Sequence, residues 1–492
     1  MKPNVLIIVL DAVRAQNLPF YGYHRNTTPF LYSVKGDLAV YENAVSSCYW
    51  TMPSVASLFT GMYKSGHGLL VEGDKLDKNI FTLPSVLREH GYRTLGFVKN
   101  VYVSEFSGLD RDFDEFVSEY FWDSVRKGVP GFMRKMAGQL QPPGITRQCE
   151  ESNSRKRSSR EKLSNLVARC FDVLIDRGSA SFLAEFEKRL EKKSGPFFAY
   201  FHLLETHMPY RAPLGFALSF LSLPGVIRKI SVNHDHLRFL LGESLMTERD
   251  FEILRSAYDN SIKYADHIIK KIFRLLEKKG VLGDTMIVIL SDHGDNVGEH
   301  GLMSHYFCLY DTLIRVPFLV KFPAGTGTKG VISEVVQNTD VYPTVLSLLN
   351  IQDMKFWRQV QGNDLAGRAA PRREKDLAVT ELVKVLGPDR SQYKDQLARF
   401  NRRLLALRTR DRKFIYSSRG DHECYDLKKD PGELKNLYEG GKGFSDLKEK
   451  AFRHYERMNN FYTANREKIE GGADLKGLAG SVAGELKSLG YM

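Results

Sequence analysis

Three distant places in the chain carry residues that could act together on an ester. Asp11 closes the apolar run of residues 5–10, and residues 49–61 read Tyr-Trp-Thr-Met-Pro-Ser-Val-Ala-Ser-Leu-Phe-Thr-Gly. Far downstream, residues 290–301 read Leu-Ser-Asp-His-Gly-Asp-Asn-Val-Gly-Glu-His-Gly. Asp11, Asp292 and His293 are metal-type ligands, and Thr51 adds a hydroxyl. A hydroxyl beside a divalent cation is a candidate nucleophile for phosphate or sulfate esters. Pro53 is expected in the first turn of a helix, which puts Thr51 at the positive end of that helix, where an anion or alkoxide is favoured. Taken singly, Asp11 and Thr51 read as ordinary helix caps. Only their combination points to chemistry.

The elements that must bring them together are legible as texture. Residues 5–10, 197–204, 286–290 and 316–322 are continuous apolar runs, the pattern of strands buried on both faces. Amphipathic helical patterns lie between them, including residues 83–90 and 250–279. Strands alternating with helices indicate an α/β domain with a mostly parallel sheet flanked by helices. Functional residues in such sheets gather beyond the carboxyl ends of the strands. Asp11, His207 and Asp292-His293 each follow one of the predicted strands.

Residues 1–370 form the expected catalytic domain, with an insertion at about 120–195 that holds a basic run at 155–160. Residues 211–245, apolar with Pro213 and Pro224 inside and Arg228-Lys229 near the middle, read as a lid or a membrane-surface segment. Residues 371–440 switch to short alternating runs and tight turns, which predicts a small antiparallel-sheet subdomain. Residues 441–492 form a largely helical tail.

The chain has 492 residues with 42% apolar and 26% charged content, values of a globular protein rather than a disordered one. A net charge of +12 points to an anionic partner: an anionic ester substrate, an anionic membrane surface or nucleic acid. Nucleic acid ranks last, because no aromatic residues are interleaved with the basic run. The five cysteines form no CxxC pair and leave one over after any pairing, which favours a reducing compartment. With no signal-peptide pattern and no run near the ~20 apolar residues of a spanning helix, the expected location is cytoplasmic, at most membrane-peripheral. Oligomeric state is left open.

The ordered motifs resemble the sulfatase family of the alkaline phosphatase superfamily. They are residues 4–14 (Asn-Val-Leu-Ile-Ile-Val-Leu-Asp-Ala-Val-Arg), residues 50–61, His207-Met-Pro-Tyr210, Ser291-Asp-His-Gly294 with Gly298-Glu-His-Gly301, and Arg315-Val-Pro317. In the C-terminal part, Leu407-Arg-Thr409, Tyr425-Asp-Leu427 and Asp430-Pro-Gly432 continue the likeness. The resemblance covers nearly the whole chain and implies an alkaline-phosphatase-like fold.

Two departures carry meaning. Family sulfatases place Cys or Ser in C/S-x-P-x-R and convert it to formylglycine; here the two positions are Thr51 and Val55, so no formylglycine is expected. Many family members carry a second aspartate where this chain has Ala12. The remaining set of Asp11, Thr51, Asp292 and His293 is similar to the single-metal site of the family's phosphoethanolamine and phosphoglycerol transferases, which use a threonine nucleophile. The resemblance therefore implies one divalent metal ion held by Asp11, Thr51, Asp292 and His293. Mixed carboxylate and imidazole donors suit Zn²⁺ or Mn²⁺, with Ca²⁺ and Mg²⁺ as further candidates.

His207 and His305 match positions where the family binds anionic oxygens and protonates the leaving group, and Arg14 and Lys99 are candidate substrate-binding cations. The expected activity is metal-dependent hydrolysis of phosphate, phosphonate or sulfate esters. A phosphoglycerol- or phosphoethanolamine-type transferase and a catalytically decayed binding protein are the alternatives.

Overall fold

Strand β1 (Asn4–Leu10) is buried along its whole length. Val5, Ile7 and Val9 enter one hydrophobic core and Leu6, Ile8 and Leu10 enter the other, so the strand separates two apolar layers. A strand with no polar face must lie inside a sheet. The computed structural model, which describes residues 2–118, 178–192, 195–383, 395–439 and 443–465, places it there.

Its neighbours, both parallel to it, are β5 (Phe197–Leu203) and β6 (Thr285–Ser291). With β2 (Ala39–Val45), β3 (Arg93–Val98), β4 (Glu115–Ser118), β9 (Phe318–Lys321) and β10 (Gly330–Gln337), they form an eight-stranded sheet in the order β10-β2-β9-β6-β1-β5-β3-β4. A two-residue ladder, β7 (Asn296–Val297) with β8 (Met303–Ser304), stands just beyond β6.

The segment expected as a strand at 316–322 is β9, and it runs antiparallel to both β6 and β2. Between β6 and β9 lie only that small ladder and short helical turns. Antiparallel neighbours need no long helical crossover, so the chain simply turns back.

Helices cover both faces. The helix Thr51–Thr60 is wholly buried and sends Met52, Val55, Ala56 and Phe59 into the core shared by Val5, Ile7 and Val9. The helix Glu248–Lys278 starts from a capping box, in which the Thr247 side chain accepts from the Asp250 backbone and Asp250 reaches back. It lays Leu254, Tyr258, Ile262, Ala265, Ile269, Ile272 and Leu276 on the opposite core, at the 3–4 residue spacing of one helical face.

A second, four-stranded antiparallel sheet follows: β11 (Ala378–Leu382), β12 (Leu404–Arg408), β13 (Arg412–Ser417) and β14 (Glu423–Asp426). The helix Ser445–Ala464 packs Leu447, Ala451, Met458 and Tyr462 into a third core with Leu405, Leu407 and Phe414 of this sheet. A buried ionic cluster ties it to the large sheet's layer. Lys413 reaches Asp311 at 2.5 Å and Glu433 at 2.6 Å, and the Arg408 guanidinium forks onto Asp311, Nε to Oδ1 and Nη2 to Oδ2, both at 3.0 Å. Burial alone would push the Asp311 carboxyl up, but Arg408 and Lys413 outweigh it and hold the group well below the usual carboxylate range.

Asp311→Ala would strand the buried Arg408 guanidinium and leave Lys413 with Glu433 alone, and is expected to cost about 3 kcal/mol in urea unfolding. Because the folded carboxyl is held below its unfolded value near 4, this contribution is present above about pH 4 and is lost as the pH falls through the folded value. Equal stability of the variant and the parent at pH 7 would contradict this role.

Most of the expected insertion, with the basic run at 155–160, lies outside the described residues, as does the tail beyond residue 465. The part of the insertion that is described forms the helix Ser179–Lys192. Among the described residues no helix is long and apolar enough to cross a membrane, and Cys48, Cys308 and Cys424 are free thiols.

Candidate active site

The carboxyl ends of five strands converge. β1 delivers Asp11, β6 delivers Asp292 and His293, β5 leads to Thr206 and His207, and β3 leads to Lys99 and Asn100. β2 leads through Ser46 to the helix Thr51–Thr60. Hydrogen bonds lock these ends together: the Ser46 and Ser54 hydroxyls both donate to the Asp292 carbonyl, at 2.5 and 2.7 Å, and Thr206 Oγ1 donates to the Asp11 carbonyl at 2.6 Å. Gly294 is required for the turn after His293, since a Cβ there would stand 2.1 Å from the Thr312 carbonyl oxygen.

Asp11, Thr51, Asp292 and His293 do come together, all buried. His293 Nδ1 lies 2.8 Å from the Gly294 carbonyl oxygen, which fixes its proton there and leaves the Nε2 lone pair facing the site. Around that nitrogen stand Thr51 Oγ1 at 3.3 Å, Asp292 Oδ2 at 3.5 Å and Asp11 Oδ1 at 3.7 Å. These separations are close to the edges of a tetrahedron of ligands about 2.0–2.2 Å from a shared centre.

Asp11 Oδ1 and Asp292 Oδ2 are buried and have no hydrogen-bond partner, whereas the other oxygen of each carboxylate is bonded. Buried carboxylate oxygens left bare are costly unless a cation meets them. Burial and the neighbouring Asp11 charge push Asp292 above the usual carboxylate range. Burial also opposes ionisation of Asp11, but His207, His202 and His293 outweigh it and hold that group low. The donor set therefore fits a divalent cation.

His207 and His305 flank this centre. Their rings lie 5.1 Å apart, and His305 lies 4.4 Å from the His293 ring. Burial, then the nearby His305, lowers the His207 pKa to about 4 against the pull of Asp11, so the ring is neutral at pH 7. The segment at 211–245 borders the site: His236 stacks on Tyr306 at 4.5 Å, and Tyr306 stacks on His305 at 4.8 Å.

The two candidate cations sit differently. Arg14 is buried beneath the loop after His293, donating to Asn17, to the Asp295 carbonyl at 3.2 Å and to Glu299 at 2.8 Å. That bonding braces the loop. Lys99 is buried at the end of β3, with Nζ 5.4 Å from the Phe182 ring.

Three functional-looking residues went unread in the sequence. Asn100 donates to Asp11 Oδ2 at 2.7 Å and to Thr51 Oγ1 at 3.4 Å. His202 bonds the same Asp11 oxygen at 2.8 Å, and Asp295 accepts from Tyr210 at 2.7 Å. For His202 a signal existed: one imidazole inside an otherwise apolar central strand. His202 with Asp11 and Asp292 also forms a group close enough to share a cation.

Comparisons with known proteins give the family and the fold. The family model described as Sulfatase matches residues 3–351, and one described as N-sulphoglucosamine sulphohydrolase, C-terminal, matches residues 298–460. The chain is 25% identical to an arylsulfatase of Clostridium perfringens, over 89% of this chain and 90% of that protein. It is 24% identical to the multifunctional alkaline phosphatase superfamily protein PehA of Trinickia caryophylli, over 89% of this chain and 91% of that one. The fold matches the phosphonate monoester hydrolase of Agrobacterium radiobacter with a TM-score of 0.63 at 18% identity, covering 94% of this chain and 96% of the other. The chain belongs to the sulfatase family and is a sulfatase-like ester hydrolase.

Proposed function

We propose that the chain is a metal-dependent hydrolase of phosphate or phosphonate esters with Thr51 as its nucleophile. The observation that carries this reading is the Thr51 hydroxyl, buried 3.3 Å from His293 Nε2 beside two bare carboxylate oxygens. Asp11, Asp292, His293 and Thr51 would hold the divalent cation. When bound, it would lower the pKa of the Thr51 hydroxyl and draw charge from a non-bridging ester oxygen.

Thr51 gives up its hydroxyl proton to solvent, its Oγ1 forms a bond to phosphorus while the bond to the leaving alkoxide breaks, and that alkoxide takes up a proton from His207. Water then cleaves the Thr51 ester, returning the hydroxyl and releasing phosphate or phosphonate. His207 and His305 line the leaving-group side. Burial keeps the His207 ring neutral at pH 7, an anionic ester beside it would raise its pKa, and the protonated ring would serve as the acid. Lys99 adds positive charge at the β3 end.

The residue type also selects the ester. A formylglycine hydrate releases sulfate by eliminating it through its second hydroxyl. Threonine has no second hydroxyl, so its adduct must be displaced by water, which is easier at the phosphorus of a phosphoryl adduct than at the sulfur of an alkyl sulfate. Relatives named for phosphonate esters and for sulfate esters both occur, and Thr51 favours the phosphorus ester.

A panel of aryl sulfate, phosphate monoester, phosphate diester and phosphonate monoester tests the reading. The phosphorus esters are expected to show the higher kcat/KM, by about 10-fold or more, the factor a 1.4 kcal/mol difference supplies. Faster turnover of the sulfate would overturn it. Product analysis with an added glycolipid alcohol separates hydrolysis from transfer.

A further inference from the structure

We propose that His202, backed by Tyr200, is a positioning residue of the metal centre that fixes Asp11 from outside the coordination shell. This rests on the metal-dependent reading above, and it assigns a task to a residue outside that ligand set. Both residues lie on β5, on the same face two positions apart, and both are fully buried. A buried imidazole in a central strand is tolerated only with its nitrogens bonded. Here Nδ1 lies 2.8 Å from Tyr200 Oη and Nε2 lies 2.8 Å from Asp11 Oδ2.

The direction of the chain follows from the groups. A carboxylate oxygen only accepts, so Nε2 carries the proton and donates to Asp11. In the neutral ring Nδ1 then has a lone pair and accepts from the Tyr200 hydroxyl. With the Asn100 amide at 2.7 Å, Asp11 Oδ2 receives two donors and is turned away from the centre. Oδ1 is the oxygen left bare.

His202 Nε2 stands 4.0 Å from Asp292 Oδ2, near enough to raise direct ligation as the rival role. One nitrogen cannot donate to Asp11 and offer a lone pair to a cation at once, and no bare atom of His202 remains. Position 12 fits the same division of labour. Ala12 has no donor on its side chain, but its backbone N–H donates to Asp292 Oδ1 at 3.1 Å, in a left-handed conformation with φ +62°. The backbone at 12 therefore aims Asp292, and His202 aims Asp11.

The test uses the full chain, Mn²⁺ as the probe, and the variants His202→Ala, His202→Gln, Tyr200→Phe and His293→Ala. His202→Ala is expected to weaken Mn²⁺ binding by about 10–100-fold, the usual cost of removing such a partner. His202→Gln, whose amide N–H can reach the same Asp11 oxygen, should recover most of that loss. Pulsed EPR of the Mn²⁺-loaded protein should show one directly bound imidazole, lost in His293→Ala and kept in His202→Gln.

A second imidazole signal that disappears in His202→Gln would overturn the proposal in favour of direct ligation. Unchanged Mn²⁺ affinity in a folded His202→Ala variant would also overturn it. If that variant does not fold, His202→Gln and Tyr200→Phe decide by the same two readouts. Failure of the unaltered protein to bind either Mn²⁺ or Zn²⁺ would instead sink the metal-dependent reading and this proposal with it.

Discussion

Thr51→Ala is expected to lower kcat by at least about 10³-fold on the best ester, the scale seen when a nucleophile is removed. Stability should change by no more than about 1 kcal/mol, because this side chain does little for the fold. Thr51 occupies the first position of its helix, and no side chain caps that helix through Trp50. Its hydroxyl contacts at 3.3 and 3.4 Å are long for hydrogen bonds. A small, buried, weakly bonded hydroxyl at a helix's positive end contributes mainly through reactivity. Thr51→Ser should keep a measurable part of the activity. A folded alanine variant with undiminished turnover would remove Thr51 from the mechanism.

Stripping the protein of divalent ions, or replacing Asp292 with alanine, should reduce turnover by a similar factor of about 10³. Added Mn²⁺ or Zn²⁺ should restore the chelated protein but not Asp292→Ala. Chelation should also lower the thermal transition, since a ligand held at 100 times its Kd stabilises by about 2.7 kcal/mol. The physical cause is the pair of bare oxygens, Asp11 Oδ1 and Asp292 Oδ2, both buried beside His293 Nε2 with no hydrogen-bond donor of their own. Metal analysis, turnover and a melting curve on the same samples check all three expectations. Full activity after chelation would point instead to His293 Nε2, 3.3 Å from the Thr51 hydroxyl, as an unaided base.

The parts of the fold that were legible beforehand are those in which burial is uniform. β1, β5 and β6 are apolar at nearly every position because both faces meet a core, and that pattern survives without any knowledge of neighbours. β2 and β10 went unread because Glu42 and Asn43 interrupt one and exposed residues recur along the other. β9 was read as a strand, but its antiparallel direction depends on the short return from β6.

The same division holds in the site. Asp11, Thr51, Asp292 and His293 stand where strands and a helix begin or end, so position along the chain marked them. His202 and Asn100 both bond Asp11, a partner far away in sequence, and although an imidazole in an apolar strand marks His202, nothing local to either residue reveals that bond. Arg14 shows the opposite case. It follows a strand end as a binding residue would, yet its guanidinium is bonded to Asn17, the Asp295 carbonyl and Glu299.

The most direct measurement is acid-quench mass spectrometry of the protein caught during turnover of a phosphonate or phosphate ester. The expected result is one phosphoryl or phosphonyl group on the peptide holding Thr51, absent in Thr51→Ala, with Thr51 otherwise unmodified. An adduct on a different residue, or rapid turnover with no adduct at any quench time, would contradict Thr51 as the nucleophile.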